Sequence, residues 1–347
     1  MLGGGGTAHL RLHSLRQDGR LGAHFMGGSL RLVTVARDEV PGLEQVDVII
    51  ATRGTRPLLL AEAVRSVVEQ DYEGDVRIFV VYDCEQLPQD GLEVDRADAH
   101  RAVVRLTSNR PRGLAGARNA GVQAASASWV AFLDDDDLWM PGKLTSQIQL
   151  AATTGASVVT TGIEIVRTGG GLVARPTTRD VITHADLVHD RMAELHPSSF
   201  LLRREAVFDV GGVDEALPGS YAEDYDLLLR LARVKDIVAV RAPLTRVRWT
   251  GDSYFFSRWE TIASALRYLL LKHPSFTGDA AGWGRVKGQI AFAEAAMGHR
   301  RTALREAVAC VRRSPREPRA ALAVAVAAGL ISADQVQRVL HRVGRGI

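Results

Sequence analysis

The sequence predicts an α/β fold: an open, mostly parallel sheet flanked by helices, with a C-terminal helical appendage. Three observations predict it. Short apolar, β-branched runs alternate with helical stretches from Val46 to about Val166, the pattern that builds a parallel sheet covered on both faces. One of these runs ends in four consecutive aspartates, Asp134 to Asp137, and ligands of open α/β sheets bind beyond the carboxyl ends of the strands. From about Phe255 the chain reads as helical to its end.

"VDVIIAT" at Val46 is a short apolar, β-branched run, as a strand buried on both faces should be. "LLLAEAVRSVVEQ" then places Leu59, Ala63 and Val67 beside Leu60, Val64 and Val68 on one helical face. "VRIFVVYD" and "RAVVRLT" are two more strands, "LAGARNAGVQAASA" is a helix, and "WVAFL" is the strand that runs into the aspartates. Pro141 suits the first position of the next helix, and "ASVVTTGIEIV" follows as a strand. Beyond the Gly169–Gly171 turn the order is less regular. "PSSFLLRREAVFDVGGVDE" reads as strand, helix and turn, "EDYDLLLRLARV" as a helix, and "DIVAVRAPLTRVRW" as strand, turn, strand. Ala-rich segments at 291–296 and 320–328, separated by breaks near Gly298 and Pro315, predict packed terminal helices. The expected divisions are a flexible extension at 1–44, a main domain at 45–254 and a helical region at 255–347.

Hydrophobic residues at 46% and charged residues at 24% fit an ordinary globular protein with a sizeable core. A net charge of +3 is too small to argue for nucleic acid. Cys84 and Cys310 are too few for a disulfide framework or a zinc cluster, which points to a reducing compartment. No apolar run reaches membrane-spanning length, and the glycine- and arginine-bearing start lacks a secretory apolar core. Met26 offers a second initiation point.

Four adjacent carboxylates repel one another, so their place at a strand end needs a reason. A solvated turn is one, since aspartate is common in turns and caps. The other is Mg²⁺ or Mn²⁺, which prefer carboxylate, phosphate and water oxygens. The surrounding segment "FLDDDDLWMPGKL" resembles the Asp-x-Asp region of family 2 glycosyltransferases, which have the GT-A fold. Four further segments match that family in order between Val46 and Trp249: "VIIATRGTRPLLLAEAVRSVVEQDY", "VVYD", "GLAGARNAGVQAASASWVAFLDDDD" and "GGVDEALPGSYAEDYDLLLRLA".

The resemblance implies a metal-dependent, inverting transfer of one sugar from a nucleoside-diphosphate sugar to an acceptor hydroxyl on a glycan, glycolipid or small molecule. Uridine diphosphate is a common carrier in the family, with deoxythymidine and guanosine diphosphates as the alternatives. By position, Asp134 and Asp136 match the two acids of Asp-x-Asp, with Asp135 and Asp137 sharing the work of holding metal and donor. Asp83, Thr52 and Arg56 fall where the family contacts the nucleotide, although "YDCEQLP" departs from its usual Asp-, Gly- and Ser-rich continuation. Arg118 suits a diphosphate because a guanidinium presents paired, permanently charged donors; a helix-surface ion pair is the plainer reading.

Asp224 matches the family's base, which takes the acceptor proton, and Glu223 its supporting neighbour. These two and Asp226 would also be favourable simply as acids in a first helical turn. Asn119 and Gly113 read as structural. His196 stands in a loop on the acceptor side, and Trp139 and Trp249 are either sugar-stacking or core residues. Processive relatives carry Gln-x-x-Arg-Trp before membrane helices. Here "TRVRW" has Thr245 at the glutamine position, which implies one sugar per event by a cytoplasmic enzyme.

The rival readings are a silent sugar-nucleotide-binding or assembly protein and a metal-dependent nucleotidyltransferase. Arg300, Arg301, Arg305, Arg312, Arg313, Arg316 and Arg319 crowd the terminal helices. They read as a solvated face or as a peripheral contact with the inner face of a membrane.

Overall fold

The computed structural model describes residues 22–26, 29–33, 43–88, 100–167, 170–249 and 258–342. Strands β1 (Gly22–Met26) and β2 (Ser29–Val33) pair antiparallel within the N-terminal unit, in the region expected as a flexible extension. The remainder of the expected extension up to residue 42, and the expected boundary at 254, lie outside the described residues.

Residues 43–347 form a second compact unit built on a ten-stranded mixed sheet. At its centre β3 (Val46–Thr52) is buried along its whole length and lies parallel to β4 (Val76–Tyr82) and β6 (Trp129–Asp134). Parallel β5 (Arg101–Thr107) closes one edge beside β4. On the other side β11 (Leu201–Arg203) runs antiparallel between β6 and β8 (Val158–Arg167), and β12 (Ile237–Trp249) runs parallel to β8. The short strands β7 (Leu138–Trp139), β9 (Leu172–Arg175) and β10 (Val181–Ile182) pair with β12, β8 and β12. These three, too short to show a period, are absent from the sequence reading. The expected strand–turn–strand at 236–249 is one strand with register shifts around Pro243, whose ring has no N–H for the ladder.

Side chains alternate across each strand, so the sheet feeds two cores. Val48, Ile50, Ile78, Val80 and Leu133 face α1 (Pro57–Val68) and α3 (Lys143–Thr154). Ile49, Phe79, Val81, Val130 and Phe132 face α2 (Leu114–Ala124) and α6 (Glu223–Val234). Each fully buried Val, Ile or Leu is worth about 1.5–3 kcal/mol. Gly121 sets the distance between α2 and the sheet, because a Cβ there would stand 2.4 Å from Ile49 Cγ2. The third helix starts at Lys143, not at Pro141: Gly142, left-handed at φ 82°, precedes it and leaves the proline in the turn before.

Two short helices, α4 (His184–His189) and α5 (Arg204–Asp209), flank the segment 190–203, and α4 opens on a reciprocal Thr183–Asp186 cap. The C-terminal helices are α7 (Trp259–Lys272), α8 (Ala280–Ala296), α9 (Arg300–Arg313), α10 (Pro318–Ala327) and α11 (Ala333–Arg342). Ile262, Leu266, Leu269, Val286 and Ile290 join the sheet's own core, so α7 and α8 complete that layer. α9 and α10 stack on α8 through a separate cluster of mainly alanines. No helix among the described residues is long and apolar enough to cross a membrane.

Asp226, fully buried on α6, ties that helix to α7. It accepts hydrogen bonds from Arg230 Nε at 2.8 Å and Lys272 Nζ at 3.0 Å and faces His273 Nε2 at 2.8 Å. Burial alone would raise its carboxyl, but His273, Arg230 and Lys272 pull it from 3.8 to about 2. A depressed carboxyl stabilises the fold above its unfolded value and loses that contribution as pH falls towards the folded one. Asp226→Asn should therefore destabilise the protein at neutral pH by about 3–5 kcal/mol, the usual cost of breaking a buried ion cluster. The difference from wild type in urea midpoints should shrink as pH drops from 4 towards 2; a difference constant across that range contradicts this account.

Candidate active site

The carboxyl end of β6 meets the amino end of α6 across one buried guanidinium. Arg118, on α2, has a side chain only 2% exposed. One Nη donates to Asp134 Oδ1 at 2.6 Å and the other to Glu223 Oε1, while the guanidinium lies over the Phe132 ring at 5.4 Å. The helix-surface reading of Arg118 is therefore not what the fold makes of it. An always-charged group can occupy such a place because two carboxylates share its donors.

The four aspartates point in different directions, because β6 ends in a tight turn closed by the Asp137 N–H to the Asp134 carbonyl at 3.1 Å. Asp135 turns towards β3, where the Thr52 hydroxyl donates to it at 2.6 Å. Arg56, 46% exposed, forks across Asp135 and Asp136. Asp137 turns inward: it accepts from the Ser198 hydroxyl at 2.6 Å and from the Arg248 backbone N–H at 3.1 Å. Burial, with Asp134 and Asp136 beside it, pushes its carboxyl well above the usual range. Burial likewise raises Asp135, against Thr52 and Arg56, and Asp136, against Arg56.

His196 completes this corner. Its Nδ1 lies 3.4 Å from Asp137 Oδ2, and burial holds the ring below its ordinary pKa although Asp134 and Asp224 favour the charged form. Ligand atoms of Asp134, Asp137 and His196 lie within 4.8 Å of one another. Two hard carboxylate oxygens and a neutral imidazole suit Mn²⁺ or Mg²⁺, and the uncompensated charge on the buried turn is what a dication would neutralise. Asp136 stands outside this group, on Arg56.

Across Arg118, the first turn of α6 carries Glu223 and Asp224. Burial, together with Asp224, lifts Glu223 to about 7 against the pull of Arg118. Asp224 is partly buried, yet Arg191 and Arg118 hold it below the ordinary carboxylate value. Arg191 Nη2 donates to both Asp224 oxygens, at 3.2 and 3.3 Å. Two adjacent acids thus differ in protonation near neutral pH, the arrangement from which acid–base roles are drawn. Met192, Ser220 and Ala222 all adopt left-handed φ of 54–64° in the two loops that meet at this acid pair. Each such non-glycine residue costs of order 1–3 kcal/mol, and such strain gathers at functional sites.

The remaining candidates separate. Asp83 accepts from the Gly113 N–H at 3.1 Å and stays half-exposed where β4 ends. Asn119 is structural, holding Val213 through both its amide atoms. Trp139 is core, buried with Nε1 on the Ser198 carbonyl at 2.7 Å, whereas Trp249 lies half-buried with the Arg175 guanidinium 5.5 Å from its ring. Thr245 is buried at 3.4 Å from both the Thr161 hydroxyl and the Ser198 carbonyl. Ser198, Arg191 and the Arg248 backbone N–H are site groups that the sequence reading missed. Only the His-Pro-Ser-Ser run hinted at the first of them.

The family model described as Glycosyl transferase family 2 matches residues 47–211, a span that holds β3 through β11. The chain carries a family 2 glycosyltransferase domain. Among curated relatives, the succinoglycan biosynthesis protein ExoO of Rhizobium meliloti is 32% identical over 39% of this chain and 37% of its own length. WfaP of Escherichia coli, named as a UDP-Glc:α-D-GlcNAc-diphosphoundecaprenol β-1,3-glucosyltransferase, is 29% identical over 32% of this chain and 43% of its own. The glycosyltransferase domain thus aligns with about two fifths of each relative. Among solved structures, the mannosyltransferase PcManGT of Pyrobaculum calidifontis, in complex with GDP-Man and Mn²⁺, superposes with a TM-score of 0.53 at 18% identity. That likeness covers 86% of this chain and 84% of the other, and it places the fold as GT-A-like.

Because Arg118 serves both halves of the glycosyltransferase site, Arg118→Met should strand Asp134 and Glu223 without a cation and lower stability by about 3–5 kcal/mol. Arg118→Lys should recover less than half of the loss, since one ammonium cannot span two carboxylates. Urea denaturation reads both variants; a methionine variant as stable as wild type would contradict the shared role.

Proposed function

We propose that this glycosyltransferase moves a hexose from a nucleoside-diphosphate donor to an acceptor hydroxyl with inversion at the anomeric carbon. The observation that carries this reading is the Arg118 bridge between Asp134 and Glu223, which puts the aspartate turn and an acid pair side by side. Thr52, Arg56 and Asp83, at the ends of β3 and β4, form the nucleotide side. Arg56 would exchange the Asp135 and Asp136 carboxylates for donor oxygens, which its partial exposure permits.

Asp134, Asp137 and His196 would hold a divalent cation, with Asp136 at the rim. When bound, such an ion supplies charge neutralisation for the departing diphosphate. Asp224 is ionised at neutral pH and takes the acceptor proton as the hydroxyl attacks. Arg191 holds its carboxylate in a fixed orientation, and Glu223, carrying a proton more readily, keeps a second negative charge from crowding the base. Uridine diphosphate as carrier and a diphosphate-linked lipid saccharide as acceptor are the first combination to test, because WfaP is named for that pair. An acceptor of that kind places the work at a membrane face.

Transfer from uridine-diphosphate hexoses to such acceptors should fall about 10²–10⁴-fold in kcat for Asp224→Asn, with donor affinity unchanged. Turnover kept within tenfold removes Asp224 as the base. Donor binding without transfer to any acceptor would favour the silent sugar-nucleotide-binding protein.

A further inference from the structure

We infer that the outer face of α9 docks this protein on an anionic phospholipid surface. The helix has two unlike sides. Ala303, Glu306, Ala307 and Cys310 are buried against α8 and α10. On the opposite side Leu304, Val308 and Val311 remain 43%, 49% and 46% exposed. At about 3.6 residues per turn these three form one stripe, and Arg301, Arg305 and Arg312, all exposed, form the stripe beside it.

The positive charge of this segment is not balanced within it. Residues 300–319 contain seven arginines and two carboxylates, and both carboxylates are engaged elsewhere. Glu306 pairs with Lys287 and Glu317 with Arg319, each at 2.7 Å. No ion pair joins Arg301, Arg305 or Arg312 to a carboxylate among the described residues. A face that leaves three guanidiniums uncompensated beside three exposed aliphatic side chains matches the headgroup–acyl boundary of an anionic bilayer. There the aliphatic stripe enters the apolar edge while long arginines reach back to phosphates.

The other occupants fit less well. A two-fold contact between copies would set these arginines against themselves. Nucleic acid would answer the charge but leave the Leu304, Val308 and Val311 stripe in water. The inference stands apart from the transfer chemistry, since no α9 residue touches the site.

The test is flotation of the full chain with vesicles of phosphatidylcholine alone and with about one third phosphatidylglycerol. Binding should require phosphatidylglycerol and weaken with salt. Each surface arginine is worth roughly fivefold in partitioning, so Arg301→Gln/Arg305→Gln/Arg312→Gln should bind about a hundredfold more weakly. Leu304→Ser/Val308→Ser should also lose binding, with the melting temperature of both variants kept as a folding control. Equal binding to both vesicle types, or to neither, overturns the inference. So does attraction to duplex DNA as strong as to vesicles and indifferent to the serine pair, which would mean charge alone.

Discussion

A single buried cation organises this molecule's chemistry. The Arg118 guanidinium sits where the sheet's carboxyl edge, α2 and α6 converge, and it is acceptable there only because Asp134 and Glu223 divide its donors. That pairing orders the structure in both directions. It fixes the end of β6, from which the other three aspartates fan out, and it fixes the start of α6, where Asp224 is presented. Two acidic corners built on different halves of the chain are held in register by one side chain.

Around that pivot, charge is deliberately left unbalanced. Asp137 is buried against a serine hydroxyl, a backbone N–H and a neutral histidine, so its carboxyl sits well above the ordinary range. Burial and the neighbouring carboxylates penalise the charged form of that carboxyl. The acid pair shows the converse: Asp224, gripped by Arg191, is held below the ordinary carboxylate range while burial lifts its neighbour Glu223 to about 7. The left-handed backbone at Met192, Ser220 and Ala222 is the conformational cost of turning two loops inward around these groups. Asp226, two residues beyond, has a purely structural life, tying α6 to α7.

Much of this was legible in the sequence, for definable reasons. β3, β4 and β6 are predominantly apolar because both faces are covered, and the Asp134–Asp137 run announced its own place at a strand end. The family match at 47–211 and the GT-A-like fold agree with that reading. What escaped was whatever depends on contacts distant in sequence. Ser198 and Arg191 lie in a stretch without periodicity, and they matter only because α4 and β11 bring that stretch against β6 and α6. His196 was seen only as a loop residue, since nothing local shows that Asp137 faces it. The opposite directions of Asp136 and Asp137 follow from a turn hydrogen bond that four identical letters cannot encode. The β12 register shifts and the two- to four-residue strands are likewise tertiary decisions.

The central claim is that the aspartate turn and His196 await a metal-bound nucleoside diphosphate. Its most direct test is the melting temperature of the wild-type chain with uridine, guanosine, deoxythymidine and cytidine diphosphates, each with and without Mn²⁺. The account predicts that one nucleotide stabilises the fold only when the ion is present, and that Asp137→Ala abolishes the shift. Stabilisation by no nucleotide under either condition would contradict it.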